Sequence, residues 1–335
     1  MLRSGVKMQT EEVIIVGAGP CGLSAALELK SRGIEPLLIE KGNVANSIYH
    51  YPTHQTFFSS SEKLEIGHMP FISERQKPVR NEALTYYRTV AQRNQLRINN
   101  YEQVEKIERD GRYYQIKTKT SKDEEYYYQA NFVIIATGYY DHPNKLNIPG
   151  EELPHVSHYF KEAHPYYNKN IVVIGGKNSA VDATLELEKA GAHVTVLYRG
   201  VDYSPSVKPW ILPLFESLVN HKKINMHFNA HIKEIKEKHV VAIIDNKEQI
   251  IDADFVFAMT GYHPDHSFLK YMGIDIDEET GRPHFDRHTM ETNVENIYVA
   301  GVIAAGYNNN EIFIENGRHH GELIAESIRN KKGSR

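Results

Sequence analysis

The stretch VIIVGAGPCGLSAALELKSRGIEPLLIEKG, residues 13–42, decides the fold. It begins with an apolar, mostly β-branched run typical of a buried strand, and continues with a glycine-rich turn and about twelve residues of helix-forming sequence. A second apolar run ends it. This order predicts a strand–helix–strand unit of about 30 residues, which has to pack into a layered α/β structure. The turn also contains Cys21, the only cysteine in 335 residues.

The same order recurs later in the chain, as IVVIGGKNSAVDATLELEKAGAHVTVLYRG at residues 171–200. The first glycines of the two turns are Gly17 and Gly175. A single glycine-rich turn can arise by chance, but two at a domain-sized distance, each with a charged residue after its second strand, indicate two dinucleotide-binding units. We therefore predict an α/β protein with two Rossmann-like dinucleotide-binding domains.

Two further apolar runs suggest how these domains are arranged along the chain. NFVIIATGYYDHPNKLNIPG (131–150) and ADFVFAMTGYHPD (253–265) each combine a buried strand with Thr-Gly, an aromatic residue and a proline. A final strand and helix follow. This order predicts that residues 1–150 and 261–335 form a discontinuous first domain, and that a second domain, residues 151–260, is inserted into it.

The first turn fits the pattern GxGxxG. Gly17 permits the tight turn, Gly19 lets the backbone approach a pyrophosphate, and Gly22 lets the helix pack closely on the strand. The phosphates would lie at the helix N-terminus, where free N–H groups and the dipole favour anions. Glu40 ends the second strand, and a carboxylate there binds a ribose but repels a 2′-phosphate. The first turn therefore predicts FAD or NAD(H) rather than NADP(H).

The second turn departs from this pattern, because Lys177 and Ala180 stand where the other two glycines are expected. Lys177 is interpreted as a cation beside a phosphate or, equally well, as a solvated loop lysine. Arg199 follows the second strand, in the place that we assign to Glu40 in the first unit. A cation there suits a 2′-phosphate, which favours NADPH over NADH, with Lys208 assisting. The alternative for Arg199 is an ordinary surface charge.

Composition excludes several classes of function. The balance of 39 basic against 43 acidic residues, net charge −4, gives no support for nucleic-acid binding. The sequence contains no run of about 18 apolar residues, so no membrane span is predicted. No signal peptide is recognised either. One cysteine excludes an internal disulfide, a CxxC pair and a four-thiolate metal site, and the 18 histidines show no recognised ligand spacing, so no metal is predicted. These features favour a cytoplasmic protein.

The two units, the two Thr-Gly strands and the run NIYVAGVIAAG (296–306) together resemble the thioredoxin-reductase-like flavoproteins with two dinucleotide-binding domains. The resemblance covers nearly the whole chain. It implies that FAD binds to the interrupted domain and NADPH to the inserted one. The chain departs from that group in two places: Val302 stands where the group often has an aspartate, and the CxxC dithiol of thioredoxin reductases is missing.

A narrower resemblance rests on GPCGLSAA (19–26), GGKNSA (175–180), SPSVKPWILP (204–213) and IFIENG (312–317). These motifs look like those of the bacillithiol-disulfide reductases, FAD- and NADPH-dependent enzymes of low-GC Gram-positive bacteria. The resemblance implies that NADPH reduces a small-molecule substrate, bacillithiol disulfide, to the thiol. It also implies a soluble homo-oligomer, a dimer or a tetramer.

Motif and resemblance together predict two sets of cofactor contacts. His54 is interpreted as a flavin contact or proton donor, or else as a structural residue. The predicted FAD contacts are Gly17, Gly19, Pro20, Cys21, Gly22, Glu40, Lys41, Ser47, His54, Thr56, Val104, Ala136, Thr137, Gly138, Gly301 and Val302. The predicted NADPH contacts are Gly175, Lys177, Asn178, Ser179, Ala180, Arg199 and Lys208.

Cys21 has two interpretations. As a catalytic residue it would form a mixed disulfide with the substrate, helped by the helix N-terminus, which lowers the pKa of a thiol. The negative pyrophosphate beside the same turn opposes that effect. As a structural residue it would be a small side chain in a position where alanine is common.

Three other functions remain open. A ferredoxin or flavodoxin NADP reductase of the same fold would leave Cys21 idle. A flavin monooxygenase is less favoured, because IPGEELPHVSHYF (148–160) lacks the spacing of the FxGxxxHxxxF motif. A non-catalytic redox sensor is disfavoured by two complete nucleotide sites, which argue for electron transfer between them.

Overall fold

The computed structural model describes residues 8–308 and 310–333, and the chain divides into two compact units. The first comprises the chain up to His50, then Gln55–His142, and everything from Tyr262 onward. The second comprises Tyr51–His54 and Pro143–Gly261. An α/β architecture with one mixed, largely parallel sheet and one parallel sheet confirms the predicted fold class, whereas the assignment of one cofactor to each domain stays a prediction.

The first unit begins with alternating strands and helices, and it resumes after the second unit. Its elements before residue 143 are β1 (Met8–Val16), α1 (Pro20–Ser31), β2 (Leu37–Glu40), α2 (Asn46–His50), α3 (Ser61–Leu64), α4 (Arg80–Arg93), β3 (Arg97–Asn100), β4 (Glu102–Asp110), β5 (Tyr113–Thr120) and β6 (Glu125–Ile135).

The second unit contains β7 (Val156–Ser157), β8 (Asn170–Ile174), α5 (Asn178–Lys189), β9 (His193–Leu197), α6 (Leu212–Asn220), β10 (Ile224–His227), β11 (Ala230–Lys236), β12 (His239–Ile244), β13 (Lys247–Asp252) and β14 (Phe255–Ala258). The first unit then continues with α7 (His266–Tyr271), β15 (Ile297–Val299), a 3₁₀ helix (Gly301–Ala305), α8 (Ile314–Gly317) and α9 (His320–Gly333).

The sheet of the first unit has the order β3-β2-β1-β6-β5-β4 in the described part of the chain, and β15 also pairs with β6. β6 divides its pairing: Glu125–Ala130 lie against antiparallel β5, and Val133–Ile135 lie against parallel β15. The ends of β1 and β6 are buried on both faces, which explains why Val13–Val16 and Phe132–Ile135 are continuous apolar runs rather than alternating ones. The carboxyl ends of these strands carry the first glycine-rich turn.

The second unit, all of whose residues are described, has a parallel sheet of order β10-β9-β8-β14-β7 and a separate antiparallel sheet, β11-β12-β13. The side chains of β8 alternate between two cores. Ile171 and Val173 pack with α5 and α6, while Val172 and Ile174 pack with the antiparallel sheet. The parallel sheet is therefore the middle of three layers, with the second glycine-rich turn at the end of β8.

Candidate cofactor sites

The first turn is built around two glycines that cannot carry a side chain. Gly17 has φ +106°, and a Cβ there would lie 2.6 Å from the carbonyl oxygen of Ala136. A Cβ on Gly22 would lie 2.2 Å from the carbonyl oxygen of Gly17. The Gly17 N–H also donates to the carbonyl of Ile39 at 2.9 Å, which fixes the turn to the end of β2. The glycines at these two positions are therefore required by backbone packing.

Gly19 has a different reason to be glycine. It is the N-cap of α1, no side chain caps the helix there, and no atom lies within 4 Å of the position that a Cβ would occupy. The open space faces the helix N-terminus, where unpaired N–H groups and the helix dipole attract phosphate. Gly19 thus keeps clear the approach that a pyrophosphate needs.

Glu40 is buried and its carboxylate is held by the backbone. One oxygen accepts the Ala18 N–H and the other accepts the Gly42 N–H, both at 2.8 Å. Burial raises the pKa of Glu40, and these two hydrogen bonds oppose that shift. Each oxygen keeps a lone pair for a ribose hydroxyl. The arrangement fits the nucleotide half of FAD and disfavours a 2′-phosphate.

The first unit has a pocket of about 750 Å³ whose lining begins with Lys41, the residue that follows Glu40. Its volume is within the range of ligand sites. Lys41 and Asp141 form an ion pair at 2.8 Å in its lining. The buried Thr137 hydroxyl has no hydrogen-bond partner among the described residues, which is typical of a group that meets a ligand. The pocket is lined by Lys41, Gly42, Asn43, Asn46, Tyr49, His50, Tyr101, Gln103 and Asp141. These residues fit FAD.

The remaining predicted FAD contacts are distributed unevenly. Ser47 lies in α2, and Thr56 forms an isolated bridge with Val79. Val104 is buried in β4, whereas its neighbour Gln103 lines the pocket. Ala136–Gly138 follow β6 beside Gly17. His54 belongs to the second unit, where its ring contacts Phe160 with 6.0 Å between centroids. Its assignment to FAD stays a prediction.

The second turn repeats the geometry of the first. Gly175 has φ +140°, and a Cβ there would lie 2.4 Å from the carbonyl oxygen of Met259. The Gly175 N–H donates to the carbonyl of Leu197 at 3.0 Å, as the Gly17 N–H does to Ile39. Lys177 is the exposed N-cap residue of α5, and no side chain makes a capping hydrogen bond at this helix end. Ala180 is buried behind the turn. The anion-binding end of a helix is therefore present here too.

The matching hydrogen bonds correct the alignment of the two repeats. Since Ile39 and Leu197 are equivalent, the residue that follows them is Glu40 in one unit and Tyr198 in the other. The sequence interpretation placed Arg199 opposite Glu40, but Arg199 lies one position further on. Spacing is the signal that identifies Tyr198, because Glu40 follows Gly17 and Tyr198 follows Gly175 by the same 23 residues. Charge points instead to Arg199, since Tyr198 carries no charge.

Tyr198 occupies its position firmly. A Cβ on Gly176 would lie 2.4 Å from the Tyr198 ring, and a Cβ on Gly200 would lie 2.4 Å from the same ring, so the ring packs against two glycine α-carbons. The second site thus has an aromatic ring where the first has a carboxylate. This removes the charge that would repel a 2′-phosphate, and Arg199 beside it is exposed.

Asn178 connects the second turn to the loop that carries Lys208. Its side chain donates to the Ser206 carbonyl at 2.8 Å and accepts the Lys208 N–H at 3.0 Å. The Lys208 ammonium lies 6.0 Å from the Trp210 ring centroid. The side chain of Asn178 is therefore committed to holding this loop, and Ser179 is exposed at the helix start. Their roles toward NADPH stay predictions.

Cys21 lies in the first turn of α1, against two glycines of the C-terminal segment. Its Sγ would be 2.9 Å from a Cβ on Gly301 and 3.0 Å from a Cβ on Gly317. We call these two residues the glycine slot. Burial raises the pKa of the Cys21 thiol to about 12, although the residue as a whole is partly exposed. Its catalytic assignment stays a prediction.

His320, which the sequence interpretation missed, holds one side of this slot. Its Nδ1 accepts the Gly301 N–H at 3.1 Å. Gly301 was predicted to contact FAD, and this bond uses its N–H within the protein, while Val302 follows it in the 3₁₀ helix. Burial, and less strongly His319, lower the pKa of His320 to about 4. The two residues are 19 apart in sequence, so no local pattern links them.

The lowered pKa of His320 makes stability depend on pH. An unfolded histidine takes up a proton near pH 6.5, whereas folded His320 does so only near pH 4. Because the unfolded state binds more protons in this window, stability falls as the pH falls from 6.5 to 4, by up to about 1.4 kcal/mol per pH unit. We expect His320→Asn to flatten the dependence of the unfolding temperature on pH in this window. Parallel curves for the two proteins would contradict this.

Neither a cluster of metal ligands nor a membrane-spanning helix is found among the described residues. Among residues 8–308 and 310–333, no group of three or more His, Cys, Asp or Glu side chains is arranged to hold a metal ion. None of the helices described is long and apolar enough to cross a membrane.

The fold and the two turns define an oxidoreductase with two dinucleotide-binding units. The family model of the pyridine nucleotide-disulphide oxidoreductases matches residues 14–301, and the chain belongs to this family. Membership confirms the predictions of an oxidoreductase and of FAD and NADPH as its cofactors.

Three relatives are similar over almost the whole chain. Bacilliredoxin reductase Bdr of Bacillus subtilis strain 168 is 60% identical over 96% of this chain and 98% of its own. The solved structure of bacillithiol disulfide reductase Bdr (YpdA) from Bacillus cereus has a TM-score of 0.96, with 61% identity over 96% of this chain and all of that one. The solved structure of the enzyme of the same name from Staphylococcus aureus has a TM-score of 0.93, with 56% identity over 97% of this chain and 100% of the Staphylococcus aureus chain. These matches confirm the resemblance to the bacillithiol-disulfide reductases.

Proposed function

We propose that the protein uses NADPH to reduce a low-molecular-weight disulfide, oxidised bacillithiol, to its thiol. The observation that carries this proposal is that Cys21 is the only cysteine. A chain with one cysteine has no dithiol to relay electrons, so the disulfide that is reduced belongs to the substrate. The two solved relatives are named bacillithiol disulfide reductases, which supports the same substrate.

The chain's own residues offer one binding site to each cofactor. The chemistry that bound FAD would supply is hydride acceptance from NADPH and delivery of two electrons to a disulfide. Gly17 and Gly19 would leave room for its pyrophosphate, and Glu40 would accept a hydrogen bond from its ribose. In the second unit the N-terminus of α5 attracts the NADPH phosphates, and Arg199 suits the 2′-phosphate.

Cys21 is proposed to carry a mixed disulfide. Its thiolate attacks one substrate sulfur, so that a Cys21–substrate S–S bond forms, the substrate S–S bond breaks and the first thiol leaves. Two electrons from NADPH, with a proton, then release the second thiol and restore Cys21. Since burial in the glycine slot raises the pKa of the thiol to about 12, this route requires the sulfur to be uncovered before it reacts.

Removal of the thiol tests this route. We expect Cys21→Ala to lower the consumption of NADPH with oxidised bacillithiol roughly 100-fold or more, because no other residue can form the mixed disulfide. Consumption of NADPH with oxygen alone and the flavin absorption spectrum should not change. Mass spectrometry of the native protein should detect one bacillithiol adduct. Equal disulfide turnover by both proteins would show that Cys21 takes no part in the reaction. Turnover of the native protein with oxidised bacillithiol that is no faster than with oxygen alone would contradict the proposed substrate.

A second candidate substrate is a bacilliredoxin, because a relative that is 60% identical is named bacilliredoxin reductase. The assay therefore needs a separate arm with an oxidised bacilliredoxin in place of the small disulfide, and a third with a ferredoxin. Turnover that depends on the bacilliredoxin, with none on oxidised bacillithiol alone, would assign the protein substrate.

We also propose that the protein is a homo-oligomer, a dimer or tetramer, in the cytoplasm. A lone thiol, with no disulfide, suits a reducing compartment. Light scattering after size-exclusion chromatography measures the mass, and a monomer mass near 38.4 kDa would contradict the oligomer. Cell fractionation checks the location.

A further inference from the structure

Three elements of the first unit meet at the sulfur of Cys21: the start of α1, which carries Cys21, the start of the 3₁₀ helix at Gly301 and the end of α8 at Gly317. A fourth element, the start of α9, is joined to Gly301 through His320. A Cβ on Gly317 would lie 3.0 Å from Sγ and 3.2 Å from the Gly301 Cα. The two glycines of the slot are thus in contact with each other as well as with the thiol, and the access to Cys21 depends on how firmly they are held.

The Gly317 side of the slot is held by its neighbour Arg318. The Ser24 hydroxyl of α1 donates to the Arg318 carbonyl at 2.7 Å. The Arg318 guanidinium in turn donates to the carbonyls of Glu62 at 2.9 Å and Glu65 at 2.6 Å. This side is therefore tied to both α1 and α3 by backbone acceptors.

The Gly301 side is held by His320. Gly301 has φ +81°, a left-handed conformation at the point where β15 gives way to the 3₁₀ helix. Its N–H donates to His320 Nδ1 at 3.1 Å. A ring nitrogen that accepts a hydrogen bond carries no proton, so His320 is the neutral tautomer with the proton on Nε2. The lowered pKa of His320 agrees with a ring that stays neutral.

We propose that His320 is a positioning residue for Cys21: by accepting the Gly301 N–H it keeps the glycine slot closed over the thiol. The other contacts of the glycine slot are van der Waals packing. The Gly301–His320 hydrogen bond, in contrast, joins the first residue of α9 to the turn after β15. Its loss leaves a partly buried N–H unpaired and lets the turn move away from the sulfur. The inference concerns access to Cys21, and it stands whether or not Cys21 forms the mixed disulfide.

The single cysteine makes the test direct, because any thiol label reports Cys21 alone. The purified protein with its FAD is mixed with excess iodoacetamide, and labelling is followed by intact mass. We expect His320→Leu to be labelled roughly tenfold faster or more than the native protein, since an unpaired buried donor is costly. His320→Asn should be labelled within about twofold of the native rate. The Asn Oδ1 is separated from Cα by the same number of bonds as the His Nδ1, so it can accept the same Gly301 N–H.

A matched control separates this role from general loosening of α9. Ser327 lies on the same helix and is buried, with its hydroxyl 3.2 Å from that of Tyr298. Ser327→Ala removes this bond and should leave the labelling rate unchanged. Labelling of His320→Leu at the native rate would overturn the proposal, as would fast labelling of His320→Asn or Ser327→Ala.

A measurement on the native protein covers the case in which His320→Leu does not fold. Hydrogen exchange of the peptide around Gly301 should show a protected Gly301 amide, since it donates to His320. The same amide should stay protected in His320→Asn. Free exchange at Gly301 in the native protein would overturn the proposal by itself.

Discussion

Gly19→Ala is expected to lower the affinity for FAD about 10- to 100-fold while the fold stays intact. No atom lies within 4 Å of the Cβ that this change adds, so the empty turn accepts it. The methyl group enters the space through which a pyrophosphate approaches the start of α1, and an extra methyl in a filled site typically costs about 1–3 kcal/mol. Titration of the FAD-stripped protein with FAD, followed by flavin fluorescence, measures the affinity.

Gly22→Ala is the matched control, three residues away in the same turn. Its Cβ would lie 2.2 Å from the Gly17 carbonyl oxygen, so the backbone itself must move. We expect this variant to lose thermal stability without FAD as well as FAD binding. Gly19→Ala should melt at the native temperature when both are stripped of FAD. Unchanged FAD affinity in Gly19→Ala would mean that the pyrophosphate does not pass this turn.

Tyr198→Glu is expected to lower the preference for NADPH over NADH by about 10- to 100-fold. The change puts a carboxylate at the position equivalent to Glu40, where the repulsion of a 2′-phosphate by a like charge is expected to cost about 1.4–2.7 kcal/mol. The N–H of Gly176 would be expected to hold it, as the Ala18 N–H holds Glu40. The ratio of kcat/KM for the two coenzymes, with oxygen as acceptor, measures the effect without assuming a substrate.

Two further variants define the result. Tyr198→Phe keeps the ring against Gly176 and Gly200 and should change the ratio by no more than about twofold, because it alters no formal charge. Arg199→Ala should lower the affinity for NADPH and leave the affinity for NADH unchanged, since it removes a cation near the 2′-phosphate. If Tyr198→Glu left the ratio unchanged, the 2′-phosphate would have to bind away from this strand end.

Local signals in the sequence sufficed for the two dinucleotide turns. A β-branched run, glycines at fixed offsets and Glu40 are all features of one contiguous stretch, and the structure places Pro20–Ser31 as the helix that follows the first turn. The alignment of the second strand end was wrong by one residue, because charge was given more weight than spacing. Tyr198 is recognised only when the hydrogen bonds of Gly17 and Gly175 are compared.

Contacts between distant segments were beyond the sequence. Cys21 lies against Gly301 and Gly317, nearly 300 residues further along the chain, and nothing around Cys21 indicates those partners. The role of His320 likewise depends on how α9 packs beside the turn after β15. The pKa of Cys21 could not be predicted either, because the helix end and the pyrophosphate act in opposite directions, and the burial that raises the pKa comes from distant residues.

The divided pairing of β6 has a consequence for synthesis on the ribosome. All strand pairs of the second unit lie between residues 156 and 258, so both of its sheets are complete before the chain reaches β15. The first sheet must wait, since Val133–Ile135 pair with β1 on one edge but find a partner for the other edge only when Ile297–Val299 emerge. Contacts of such long separation form late. We therefore expect the unit in the middle of the gene to fold first, and the site around Gly17, although encoded at the beginning, to mature last.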